Sequence, residues 1–122
     1  MLNKYTDDIV YVTNSDGPNG EASTIRGKEN LRIRFEKAME TFDITIKMES
    51  IRFGRGSVRV RSSLLYEHRE TGHSLSCSLR QIVGFEGFRI AEVHDFHDEA
   101  RMAAFWKLLG DPLMRLGKPQ SV

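Results

Sequence analysis

Ser74-Leu75-Ser76-Cys77-Ser78-Leu79-Arg80-Gln81-Ile82-Val83-Gly84-Phe85 changes character residue by residue: Leu75, Cys77, Leu79, Gln81, Val83 and Phe85 fall on one face of an extended chain, and Ser74, Ser76, Ser78 and Arg80 on the other. A period of two marks a half-buried β-strand, so the stretch predicts a sheet with one buried and one wet face. Turn formers bracket it, Glu70-Thr71-Gly72 before and Glu86-Gly87 after, with Gly54-Arg55-Gly56 one strand earlier. The four strand-like stretches they separate predict a meander of hairpins. In the second, Val58, Val60, Leu64 and Tyr66 oppose Arg59, Arg61 and Glu67. In the first, Ile44, Ile46 and Met48 share a face, but Ile51 and Phe53 have the other parity, so a β-bulge is expected near Ser50. The fourth runs from Phe88 towards His97. Such strands exceed the usual ~5–6 residues, and a twisted antiparallel sheet of that length coils or closes rather than staying flat.

Working outward, Leu31, Phe35, Ala38, Met39 and Phe42 recur at helical spacing, which predicts a helix from Lys28 to Phe42 with Gly27 at its N-cap. Asp98 reads as the N-cap of a second helix carrying Met102, Phe105, Trp106 and Leu109, stopped by Gly110-Asp111-Pro112. Beyond it Leu113, Met114 and Leu116 are apolar enough to dock, while 117–122 is expected to fray. Near the start, Ile9-Val10-Tyr11-Val12 predicts a short strand, and the turn formers from Asn14 to Gly20 predict a loop.

The chain of 122 residues predicts one domain over 1–122, and its 39% apolar and 29% charged residues are ordinary globular composition. No apolar run approaches the ~18 residues of a membrane span, and the N-terminus lacks the apolar region of a signal peptide, so membrane and export are not expected. Cys77 is the only cysteine, which precludes an internal disulfide and fits a reducing cytoplasm. A net charge of +1 creates no global field toward nucleic acid. Arg52, Arg55, Arg59, Arg61, Arg80 and Arg89 can share a sheet face, which reads as a solvated or interface surface, since no aromatic run interleaves with them.

Read in order, Tyr5-Thr6-Asp7-Asp8-Ile9-Val10-Tyr11, Ile25-Arg26-Gly27-Lys28-Glu29, Thr71-Gly72, Phe85-Glu86-Gly87-Phe88-Arg89-Ile90-Ala91-Glu92 and Asp98 resemble the SnoaL-like, ketosteroid-isomerase-like branch of the nuclear-transport-factor-two-like superfamily across nearly the whole chain. The resemblance implies an α+β fold in which a cone-shaped, strongly curved antiparallel sheet is packed by helices around an apolar pocket. It implies no single activity, because such domains include cyclases, isomerases, hydrolases and noncatalytic proteins. It also implies capping helices before the first strand, where this sequence opens on the strand itself. The expectation is either a truncated start, or cover from the Leu113-Met114-Leu116 segment and a partner subunit in a homodimer through the sheet.

In the isomerase-like relatives a carboxylate base follows the first strand; the matching place here is Thr13, beside Asn14, and neither is a carboxylate. The relatives' proton-donating acid falls close to Gln81, whose amide donates a hydrogen bond without any pKa adjustment. Glu92-Val93-His94-Asp95-Phe96-His97 concentrates ionisable groups at the end of the last strand, and parity sets Glu92, His94 and Phe96 against Asp95 and His97. His94 with Glu92, or Asp95 with His97, supplies a base for proton abstraction beside a carbonyl; an ion-paired sheet rim is the plain structural alternative. The expected site is therefore His94 or Asp95 as base, Gln81 as donor, and Tyr11, Thr13, Met39, Phe42, Tyr66, Cys77 and Phe96 as ligand contacts. Neither a cofactor nor a metal is expected, since His94 and His97 point apart and Gly54-Arg55-Gly56 joins two strands rather than opening a helix. The expected ligand is a small apolar or aromatic carbonyl compound, with cofactor-independent isomerisation or cyclisation as the chemistry. The alternative is a noncatalytic partner-binding domain of the same fold.

Overall fold

The alternating stretch forms β5 (Ser74–Glu86), and its neighbours form β4 (Ser57–His68), β3 (Phe42–Phe53) and β6 (Arg89–His97) in a computed structural model describing residues 2–16 and 21–110. The remaining elements are β1 (Tyr5–Asp16), β2 (Glu21–Arg26), α1 (Lys28–Thr41) and α2 (Glu99–Gly110), after a short 3-10 turn at Leu2–Lys4. The sheet order is β2-β1-β6-β5-β4-β3, open at β2 and β3. All pairings are antiparallel except β1 with β6, which is parallel. The pairing of β3 with β4 shifts register between Met48 and Ser50, where the parity of Ile51 and Phe53 required it. A second shift at Gly84/Phe85 bends β5 against β6. Local irregularities of this kind let long strands curl.

Two departures from the sequence reading concern the N-terminal part. The first strand continues to Asp16 instead of ending in a loop after Val12, and 21–26 returns as β2, with Tyr11 opposite Ile25 and Thr13 opposite Ser23. Only Ser23 and Ile25 of β2 are partly buried, which is why an edge strand left no apolar alternation to read. Gly27 then turns the chain into α1 at a φ of 91°, left-handed backbone where glycine escapes the Cβ clash. Its amide donates to the carbonyl of Ile9 at 2.8 Å, and no side chain caps the helix.

Both helices lie on the buried face of the sheet. Under α1, Ile9, Leu31, Val83 and Val93 pack together with Tyr11 and Phe35. Under α2, Met102, Phe105 and Leu109 pack on Phe42 and Leu75, with Tyr66, Cys77 and Trp106 against them. Phe42 sits edge-on to Trp106 at 5.6 Å and to Tyr66 at 5.7 Å. Helix α2 packs chiefly on β5 and on Phe42, and the inner face of β3 beyond Ile44 stays open, with Ile46, Met48, Ile51 and Phe53 all exposed. The start of α2 is capped as expected: the Arg101 amide donates to Asp98 Oδ1 at 3.1 Å. Leu113, Met114 and Leu116 lie outside the described residues. The expected stripe of α1 is narrower than the sequence suggests, because Met39 stands about 80° round the helix from Leu31 and is 61% exposed.

Candidate functional site

The two apolar clusters meet along a polar seam. Tyr11 belongs to the α1 side and Tyr66 to the α2 side, and Thr13, Gln81, Asp95 and His97 lie between them. Register puts these groups together. Gln81 is directly opposite Asp95, Leu79 is opposite His97, and Thr13 is opposite Asp95 on the other flank. Residues opposite one another in a ladder share a face, so the buried face of β5 selects Asp95 and His97 and turns Glu92, His94 and Phe96 outward.

Asp95 is the centre of this seam, with only 5% of its surface exposed. Gln81 Nε2 donates to its Oδ1 at 2.7 Å, and the Tyr11 hydroxyl donates to its Oδ2. No lysine or arginine among the described residues forms an ion pair with it. Burial consequently raises the Asp95 carboxyl above the usual carboxylate range, against the lowering effects of the Tyr11 and Gln81 hydrogen bonds and of the nearby His97 and His94. Burial first, and the Asp95 charge with it, pushes the Tyr11 hydroxyl upward, so tyrosine stays the donor of the pair. Tyr66 is raised by burial too.

His97 closes the other end. Its Nδ1 is 3.4 Å from Thr13 Oγ1 and its Nε2 is 3.4 Å from the Tyr66 hydroxyl. Asn14 fastens the strand that carries it: the His97 amide donates to Asn14 Oδ1 at 2.8 Å, and Asn14 Nδ2 donates to the His97 carbonyl at 3.0 Å. Phe35 of α1 stands edge-on to Tyr11 at 5.6 Å and walls the seam from above.

The structure therefore gathers Tyr11, Thr13, Gln81, Tyr66 and Asp95, adds His97 and Phe35, and keeps Phe42 and Cys77 in the adjoining apolar cluster. It places one of the two expected bases and two expected contacts elsewhere. His94 is bound to Glu92 at 2.5 Å on the outer face, Phe96 is 41% exposed on that same face, and Met39 is exposed on α1. The physical reason is the register of β6, which sets Val93 and Asp95 inward and His94 outward. The signal for His97 was its shared parity with Asp95.

No protein-family model matches the sequence, and neither does any curated protein. Solved structures do match. A nuclear-transport-factor-two-like protein from Burkholderia thailandensis superposes with a TM-score of 0.74 at 20% identity, over 85% of this chain and 80% of that one. A candidate SnoaL-like polyketide cyclase from Jannaschia sp. gives 0.73 at 14% identity, over 90% and 76%. A protein with a ketosteroid-isomerase-like fold from Catenulispora acidiphila, solved with trimethylamine, gives 0.72 at 12% identity, over 84% and 76%. The chain has the SnoaL-like, ketosteroid-isomerase-like form of the cystatin-like α+β fold. At these identities the likeness is one of fold.

Proposed function

We propose that the seam binds a small apolar or aromatic carbonyl compound and that Asp95 moves a proton on it, in a cofactor-independent isomerisation or cyclisation. The observation that carries this reading is a buried carboxyl with a raised pKa, held by two donors between two aromatic walls. In the ionised form Asp95 takes a proton from the carbon beside the carbonyl; in an isomerisation it returns it at another carbon, and in a cyclisation the carbanion attacks a second carbonyl carbon and the proton goes to the oxygen whose π bond breaks, so Asp95 ends as it began. The negative charge that develops on the carbonyl oxygen is met by the Tyr66 hydroxyl or by the Gln81 amide hydrogen that Asp95 does not hold. His97, touching Thr13 and Tyr66, orients that end of the seam. The trimethylamine in the Catenulispora acidiphila structure supports small-molecule binding by this fold.

The noncatalytic reading draws on a different observation: Asp95 is 5% exposed and its two carboxylate oxygens are held by Tyr11 and Gln81, so a ligand reaches it only by displacing a neighbour. Thermal stability against a panel of aromatic, steroid-like and polyketide-like carbonyl compounds decides between them. Stabilisation by one class, weakened in both Gln81→Ala and Tyr11→Phe, is the expected result. A flat response across the panel leaves the partner-binding domain.

A further inference from the structure

The outer face of the sheet carries a charge arrangement that the seam does not use. Register aligns Ser50, Arg61, Arg80 and Phe96 in one row across β3, β4, β5 and β6. In the adjacent row Arg52 is directly opposite Arg59. Two pairs of guanidinium groups thus face each other across strands, Arg52 with Arg59 and Arg61 with Arg80, and all four side chains are exposed. Like charges directly opposite destabilise a ladder. None of the four forms an ion pair among the described residues. Two carboxylates on the same face are occupied: Glu92 holds His94, and Glu49 accepts from Ser63.

Beside the arginines the face is indented. A cleft of about 640 Å³ is lined by Thr45, Lys47, Ser63, Ser76, Ser78 and Arg101, among others. A second of about 320 Å³ is lined by Arg61, Ser78, Arg80, Phe96, His97 and Asp98. Ser78 and Asp98 line both clefts, so the two are adjacent. Serine and threonine hydroxyls line them together with Leu64, Leu65 and Cys77, and Lys47, Arg61, Arg80 and Arg101 bring positive charge. The one carboxylate lining them, Asp98, is engaged in capping α2. Guanidinium forks and hydroxyls are the donors that phosphate oxygens take. Phe96, directly opposite Arg80 and 41% exposed, adds a ring on which a base can stack.

We infer that this face binds single-stranded nucleic acid, with phosphates on Arg52, Arg59, Arg61 and Arg80 and a base against Phe96. Along the chain no aromatic interleaves with the arginines, and the net charge is only +1. Folding supplies the aromatic, by pairing β5 with β6. An acidic polypeptide would meet the same charges but leave the ring without a use, and a second copy docked on this face would set arginine against arginine.

Fluorescence anisotropy with a short fluorescein-labelled oligothymidylate tests this on the full chain. Binding in low salt is expected to weaken linearly on a log–log plot, with a slope of about −2 to −3 for three or four phosphates. Arg61→Ala with Arg80→Ala is expected to weaken binding at least ~10-fold and to flatten that slope by about 1.4, two phosphates' worth. Phe96→Ala is expected to weaken it by about 5-fold or more, and Asp95→Asn to leave it unchanged, which separates this inference from the seam's chemistry. No anisotropy change in low salt overturns it. So does full competition by tripolyphosphate together with indifference to Phe96→Ala, which would leave bare phosphate as the ligand. Tighter binding of polyglutamate than of the oligonucleotide overturns it in favour of an acidic polypeptide. An oligomer that Arg61→Glu dissociates, without nucleotide binding, overturns it in favour of a second copy.

Discussion

Replacing Tyr11 by Phe removes one hydroxyl and leaves the rest of the ring, including its edge-on contact with Phe35 at 5.6 Å, in place. What is lost is the donor to Asp95 Oδ2. The acceptor is 5% exposed, so water does not readily replace the lost bond. A hydrogen bond to a charged group contributes about 1.5–3 kcal/mol net, whereas one to a neutral group contributes about 0.5–1.5. The substitution therefore costs about 2 kcal/mol where Asp95 is ionised, equivalent to roughly 6–12 °C in Tm for a chain of this size. It costs about 1 kcal/mol less once the falling pH has protonated Asp95, which its raised carboxyl reaches before an ordinary carboxylate does, because the bond is then one to a neutral group. Urea unfolding from pH 8 down to pH 4, with circular dichroism as the probe, measures both. A loss below about 0.5 kcal/mol at pH 8, or one that does not shrink as the pH falls, would refute the pairing and the ionised state argued for it.

Asp95→Asn is expected to behave in the opposite way. The folded-state pKa of Asp95 lies above its unfolded value, so above the ordinary carboxylate range the unfolded chain ionises first and the wild type loses stability as pH rises toward the folded pKa. The asparagine variant should lack that decline in a Tm-versus-pH series. Leu31→Ala removes a fully buried side chain between Ile9 and Val93, and should cost about 2–5 kcal/mol by chemical denaturation. Gly27→Ala forces a Cβ into left-handed backbone and should cost about 1–2 kcal/mol by the same measurement. His94→Ala breaks an outer-face contact with Glu92 whose partners are 37% and 56% exposed; Tm should move little, and any carbonyl-ligand stabilisation of the wild type should persist.

Which parts of this molecule its sequence discloses follows from how each part is held. Wherever a face is buried against the core, the code is local. The alternation of 74–86 is β5, the helical spacing from Lys28 is α1, and the parity slip at Ser50 is the bulge of β3. Those features need only a residue's own neighbours in sequence. β2 escaped notice because an edge strand buries little, and Glu21, Ala22, Thr24 and Arg26 all face solvent. The site was half legible for another reason. Parity separated Asp95 and His97 from His94 and Phe96, but choosing between the sets requires the register of β6 on β5, a long-range pairing fixed by the Glu86–Arg89 hairpin and the shift at Gly84. Val93, 2% exposed and of the same parity as Asp95, was the local hint toward the inner set, and Phe96 offered an equally apolar hint toward the other.

Proton transfer at carbon by Asp95 is reported directly by hydrogen–deuterium exchange beside the carbonyl. In deuterium oxide, the signal of that proton is followed by nuclear magnetic resonance for each member of the carbonyl panel, with wild type, Asp95→Asn or no protein. One chemical class is expected to exchange faster with wild type than in buffer, and Asp95→Asn to slow the catalysed exchange by about 10²–10⁴-fold while remaining folded. Exchange no faster than buffer for every compound, or equal exchange in the asparagine variant, would contradict it.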